Sequence, residues 1–207
     1  MKKKTPLQES RTGRQRGRPK LDTRVEEVLS CAATMFSSRG FAAATLEEIG
    51  AELGMTRPGL YYYAKSKEDL LDQCYVWGFK KFMARLENEL TEGTGREMLS
   101  GFFGIYSEVV CDDASRCFLA SENHFLSPPR QKEAAKRMHE ISEIAGELID
   151  RGIVDGTITS CDRKYALTVL FGSFNALSKL YKRSGPSPFE MGQNLLEIIL
   201  NGLVPRP

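Results

Sequence analysis

The sequence predicts an all-α protein, with a small N-terminal bundle joined by one long helix to a larger helical body. Three observations carry this. Apolar residues recur at three- and four-residue spacings along most of the chain, the period of a helix face. Helix-start patterns, a Ser or Thr followed three residues later by an acid, precede the apolar runs at Thr23 with Glu26, Thr45 with Glu48 and Ser66 with Asp69. No stretch alternates apolar and polar for long enough to build a sheet, and residues 156–160 read only as a connector.

The elements follow in order. Residues 1–20 hold almost no large apolar side chain and read as a disordered arm. Helix one starts near Asp22 and carries Val25, Val28, Leu29, Ala32 and Phe36 on one face until Gly40 stops it. Thr45 caps a second helix with Leu46, Ile49 and Leu53 inward, ending at Gly54. Thr56 caps a third, very short one, 57–63, with Pro58 in its first turn where no helical donor is lost. Ser66 opens a long fourth helix to about Leu90. Beyond 93–95, helical segments are predicted at 96–111, 114–126, 130–151, 162–183 and 187–203, the last two capped by Asp162 and Ser187. The domain reading is therefore 1–20, 21–71 and 72–207.

Charge divides the chain in the same way. The net +2 conceals an arm with eight basic groups against one acid, +7, and a remainder with 21 against 26, −5. A basic arm on an acidic body points to a polyanionic partner for the arm. The longest charge-free run, 165–178, is too short to span a bilayer, so no membrane partner is expected, and no secretory signal is visible. Five widely spaced cysteines without a C-x-x-C pair fit a reducing cytoplasm and indicate neither a disulfide framework nor a metal site. No cofactor is expected.

Two short helices, 45–63, joined by a tight turn at Gly54 and Met55 form the helix-turn-helix arrangement, in which the second helix enters the major groove. The alternative is an ordinary hairpin in an all-α binding or metabolic protein. The second helix favours DNA, because Arg57 can pair bidentately with guanine while Tyr61 and Tyr62 can reach phosphate or a thymine methyl.

Residues 24–71 resemble the DNA-binding domain of the tetracycline-repressor (TetR) family of bacterial transcriptional regulators. The resemblance rests on Ala32-Ala33-Thr34-Met35-Phe36, Gly40-Phe41, Thr45-Leu46-Glu47-Glu48-Ile49, Gly54-Met55-Thr56, Leu60-Tyr61-Tyr62-Tyr63 and Ser66-Lys67-Glu68-Asp69-Leu70-Leu71. One position departs: Ala64 stands where the family usually has Phe, and Tyr63 or Trp77 is expected to fill the space. The resemblance implies a three-helix DNA-binding domain joined by a long helix to a helical ligand-binding and dimerisation domain. It implies that Thr45, Tyr61, Tyr62 and Lys67 contact phosphates while Thr56, Arg57 and Gly59 lie against base edges. From packing alone, one of the three successive tyrosines is expected to face inward and not all three.

The arm adds Arg16-Gly17-Arg18-Pro19, similar to the core of an AT-hook, with Arg16 and Arg18 suited to a narrow A·T minor groove. An architectural DNA-binding protein that relies on this arm is the alternative function. The body offers no nucleophile and base pair, so an enzyme is not expected. Trp77, Phe102, Phe103, Tyr106, Phe118 and His124 are candidates to line an effector pocket, although each taken singly is better suited to core packing. Phe171, Phe174 and Leu177 on one helix and Leu195 and Ile199 on another are candidates for a two-helix dimer face. The C-terminal run from Gly152 faintly resembles family members that sense acyl-CoA thioesters, while Cys111 and Cys117 could instead sense oxidants. The expected protein is a homodimeric, ligand-responsive repressor of a near-palindromic double-stranded DNA operator, released by an apolar or acyl effector.

Overall fold

α1 (Leu21–Arg39), α2 (Leu46–Glu52), α3 (Arg57–Tyr61) and the first turns of α4 (Lys67–Glu89) close around Val28, Ala32, Phe36, Ile49, Leu60, Leu70, Leu71 and Cys74, all buried. This computed structural model describes residues 21–203 other than 120 and 183, so the arm with Arg16 and Arg18 lies outside the described residues. α1 is already helical at Leu21, which places Thr23 within the helix and corrects the capping box expected there. The Thr45 box forms in full: the Glu48 N–H donates to Thr45 Oγ1 (3.2 Å) and the Thr45 N–H to Glu48 Oε2 (2.9 Å). The Ser66 box forms by half. Asp69 N donates to Ser66 Oγ (3.0 Å), but the Asp69 carboxylate turns to the Lys65 N–H (2.9 Å).

α4 leaves the head and enters the body, which comprises α5 (Gly95–Cys111), α6 (Pro128–Val154), α7 (Arg163–Asn175), α8 (Leu177–Leu180) and α9 (Pro188–Asn201). Its centre is a set of packed rings, with Phe103 and Phe174 4.4 Å apart and Phe82 within 6.1 Å of Phe102, Tyr106 and Phe118. Gly192 lets α9 approach α5, since a Cβ there would strike Ser107.

Two predicted helices are corrected. Residues 114–126 form two 3-10 turns, Ser115–Leu119 and Ser121–Phe125, in place of an α-helix. Asp112 drives the first, its carboxylate accepting the Ser115 N–H (2.7 Å) and its carbonyl the Arg116 N–H (2.9 Å). Pro128 and Pro129, which lack donors and disfavour a helical residue before them, then set the start of α6 at 128. The segment predicted at 162–183 breaks at Ala176, whose N–H bonds the Ser173 carbonyl in a tightened turn (3.1 Å).

Candidate nucleic-acid interface

α3 buries one side chain, Leu60, and turns the rest outward. It is too short to stand alone, and two devices hold it. Thr56 Oγ1 accepts the Gly59 N–H (3.3 Å), which caps its start. Gly54, at φ +61°, makes the reversal from α2, and the Met55 N–H returns to the Gly50 carbonyl (2.7 Å). The helix ends earlier than expected, at Tyr61, with the Tyr63 and Ala64 N–H groups both on the Leu60 carbonyl.

The three tyrosines separate as packing requires. Tyr61 and Tyr62 are 40% and 74% exposed, while Tyr63 packs against the core. Ala64 is buried, and Tyr63 beside it joins the hydrophobic core. Trp77 instead lies in a groove with Cys31, Thr34, Met35 and Ser38 of α1, its ring 4.6 Å from Lys81 Nζ.

Arg57 stands out from the first turn of α3, and its Nε contacts Glu47 Oε1 of α2 (3.0 Å). Its guanidinium carbon lies 5.7 Å from the Tyr61 ring centroid, and the Tyr61 hydroxyl followed by Glu47 holds its pKa above the usual arginine value. The Glu47 contact at Nε and a hydrogen bond from Nη2 to the Tyr61 hydroxyl (3.5 Å) hold the guanidinium on the outward face of α3, a donor group of the kind that pairs with guanine O6 and N7. Glu47 is therefore a member of this surface that the sequence motifs did not single out; an acid in the first turn of α2 has no such signature until α3 is folded against it. A shallow hollow of about 350 Å³ joins Thr45, Glu47, Arg57, Tyr61, Lys65, Ser66 and Lys67 on one face. Lys67 is anchored there, donating to the Ala42 carbonyl (3.2 Å) over the Phe41 ring (4.4 Å). Gly59 has little room for a side chain, since a Cβ would meet Thr56 Oγ1 at 3.3 Å.

The body residues separate differently. Phe102, Phe103, Tyr106 and Phe118 are sealed in the ring cluster, where burial raises the Tyr106 phenol and its hydroxyl donates to Asn175 Oδ1 (2.6 Å). His124 is exposed, its ring 4.0 Å from Phe125. An open cavity of about 730 Å³ lies beside the cluster, walled by Leu99, Ile149, Ile158, Val169, Leu170 and Ile199. The dimer-face expectation is corrected in part: Phe174 and Leu177 are buried within the protomer, and Phe171 turns to the Phe103 and Tyr106 rings. The exposed stripe of α7 runs instead through Tyr165, Val169, Gly172 and Ala176, while α9 shows Ile198 beside half-buried Leu195 and Ile199. Burial raises the thiol of Cys111, the opposite of what a thiol sensor needs, and Cys117 is buried. No helix among the described residues is long and apolar enough to cross a membrane.

A short helix braced by another, exposing an arginine and two tyrosines beside a lysine at the next helix start, is the arrangement of a helix-turn-helix DNA-binding regulator. Sequence comparison agrees over most of the chain. Residues 28–74 match the family described as bacterial regulatory proteins, tetR family, and residues 92–203 match the tetracyclin repressor-like C-terminal domain. The chain belongs to the TetR family. It is 27% identical to the HTH-type transcriptional repressor KstR2 of Mycolicibacterium smegmatis over 197 residues, covering 87% of this chain and 91% of that one. The fold is shared with the ketosteroid transcriptional regulator KstR2 of Mycobacterium tuberculosis (TM-score 0.77, 24% identity, 90% and 98% of the chains). It is shared also with AibR, solved with isovaleryl coenzyme A and operator DNA (TM-score 0.73, 21% identity, 86% and 97% of the chains). The KstR2 relatives are named as a transcriptional repressor and a transcriptional regulator.

Proposed function

We propose that the protein is a homodimeric repressor whose α3 reads each half of a near-palindromic operator and whose body binds an apolar effector, an acyl-CoA thioester, that releases the DNA. The observation that carries the DNA reading is the outward face of α3, where only Leu60 is buried and Arg57 is held in place by Glu47 and the Tyr61 hydroxyl. In this reading Thr56, Arg57 and Gly59 lie at base edges, and Thr45, Tyr61, Tyr62 and Lys67 hold phosphates. Arg16 and Arg18 enter the flanking minor groove. Two protomers pair through Tyr165, Val169, Leu195, Ile198 and Ile199, giving a two-fold axis to match the operator. The effector's acyl end enters the cavity beside Leu99 and Leu170, next to Phe102, Phe103 and Phe171 on the same helices. AibR, solved with isovaleryl coenzyme A, supports a thioester, and KstR2, named for a ketosteroid, supports an apolar effector.

Selection of duplexes from a random library by the full chain, followed by titration in fixed salt, tests the DNA reading. A paired half-site should emerge, and Arg57→Ala should lose its guanine preference; selection unaffected by that change would refute the assignment of α3. Isovaleryl-CoA and longer acyl-CoAs should raise the melting temperature and weaken the selected complex.

A further inference from the structure

Several contacts join the body to the head, among them Arg116 Nη2 on the Ser37 carbonyl (3.0 Å), and one of them reaches the residues that follow α3. Arg130, in the first turn of α6, lies across the first turn of α4, with Nη2 on Asp69 Oδ1 (2.8 Å), Nε near Asp72 Oδ2 (3.5 Å) and Nη1 near Glu68 Oε1 (3.7 Å). The neighbouring Ser127 N–H donates to the same Glu68 oxygen (2.8 Å). These side chains are only 22–37% exposed, so the pairs are less screened than the solvent-facing pair of Arg57 and Glu47.

Asp69 continues the connection. Its second oxygen, Oδ2, accepts the Lys65 N–H (2.9 Å) and the Gln73 amide (3.3 Å), and that amide also donates to the Tyr63 carbonyl (2.9 Å). Lys65 and Tyr63 are the residues by which the chain leaves α3. Burial raises the Asp69 carboxyl, but the Lys65 N–H and the Arg130 guanidinium outweigh it and hold the group ionised. A parallel contact runs from the second 3-10 turn, where the Phe125 ring meets Phe41 (4.7 Å), the ring beneath Lys67. The half-formed capping box at Ser66 thus has a reason: Asp69 is committed to this connection and not to its own helix.

We propose that Arg130 is a positioning residue for DNA recognition, fixing the exit of α3 through Asp69 so that movement of the α6 N-terminus reaches the base-reading face. This rests on the reading of α3 as the recognition helix. An effector that shifts α6 would slide the fork off Asp69, and the Lys65 and Tyr63 anchors would loosen together.

The test uses the duplex selected by the full chain and a scrambled duplex at the same salt. Arg130→Ala removes a positive charge and Asp69→Asn a negative one, so general attraction to DNA would move their affinities in opposite directions. Positioning predicts that both weaken the selected duplex, by roughly tenfold, that the double variant is no weaker than either single one, and that scrambled-duplex binding is little changed. Arg130→Lys, which keeps the charge without the fork, should still lose most of the selected affinity. Opposite signs, additive losses, or equal losses on both duplexes would overturn the proposal. If a variant melts too early to titrate, hydrogen exchange on Arg130→Lys decides: the Lys65 amide should exchange faster while central α6 amides do not, and unchanged Lys65 protection would also overturn it. Arg57→Ala on the same duplex separates the two failures. If it has no effect, the reading of α3 fails; if it abolishes selection while Arg130 and Asp69 variants bind normally, only the connection fails.

Discussion

The head and the body use aromatic side chains in opposite ways. In the head, Tyr61 and Tyr62 stand in solvent on a helix anchored by Leu60 alone, and the backbone is held by caps at Thr45, Thr56 and Ser66. In the body, Phe102, Phe103, Tyr106, Phe118 and Phe174 are buried in one ring cluster, beside an open cavity lined in part by exposed Tyr165. The head therefore presents its function on a surface fixed by local hydrogen bonds. The body keeps its rings closed beside an open cavity of about 730 Å³, and packed cores shift between discrete arrangements.

The largest expected effect tests the sealed half. Phe174→Ala, at 0% exposure against the Phe103 ring, should destabilise the protein by about 3–5 kcal/mol in chemical denaturation. A cost below about 1 kcal/mol would mean that the cluster is looser than its ring contacts imply. Arg57→Ala should leave stability unchanged and reduce discrimination for guanine by about 1–3 kcal/mol, read as the affinity ratio between the selected duplex and its guanine-substituted variants. Thr45→Ala removes a full capping box and should cost about 1 kcal/mol, seen as a lowered melting temperature with DNA preference retained.

Glu47→Ala sharpens the account of the exposed half. It should relax the guanine preference while strengthening binding to scrambled DNA, because a carboxylate leaves the surface proposed to meet phosphates. Loss on both duplexes would show Glu47 to be only a support of the head. The smallest effect is on acid stability. Hydrogen bonds from Thr45, Thr94 and Ser187 hold the carboxyls of Glu48, Glu97 and Glu190 below the usual range. A carboxyl depressed in the folded state adds stability above its unfolded pKa, and that contribution is lost as pH falls through the folded value. Stability should hold from neutrality to about pH 4.3 and decline below it, with Glu48→Gln flattening the decline; a steeper decline in that variant would contradict the cap.

Legibility followed the same division. α2, α3, the start of α4 and the surface role of Tyr62 could be read because each depends on neighbours within four residues. Phe174 and Leu177 were misplaced on the dimer face because a helix stripe states that a side chain is apolar, not whether its partner is the same chain or another. The 114–126 segment looked helical by spacing, yet Asp112 and the Pro128-Pro129 pair made 3-10 turns of it. Glu47 and Arg130 were invisible for a plainer reason: their partners are 10 and 61 residues away, respectively, in Arg57 and Asp69.

The sequence by itself determined the helical class, the caps and the chemistry offered by the recognition helix, since periodicity and capping are local properties of the chain. Tertiary structure alone decided which apolar stripe is core and which remains open. It also decided that Arg57 is held by Glu47 and Tyr61, and that Arg130 of the body reaches Asp69 of the head. Those choices depend on burial and on charges brought together across long separations, and no local pattern encodes them.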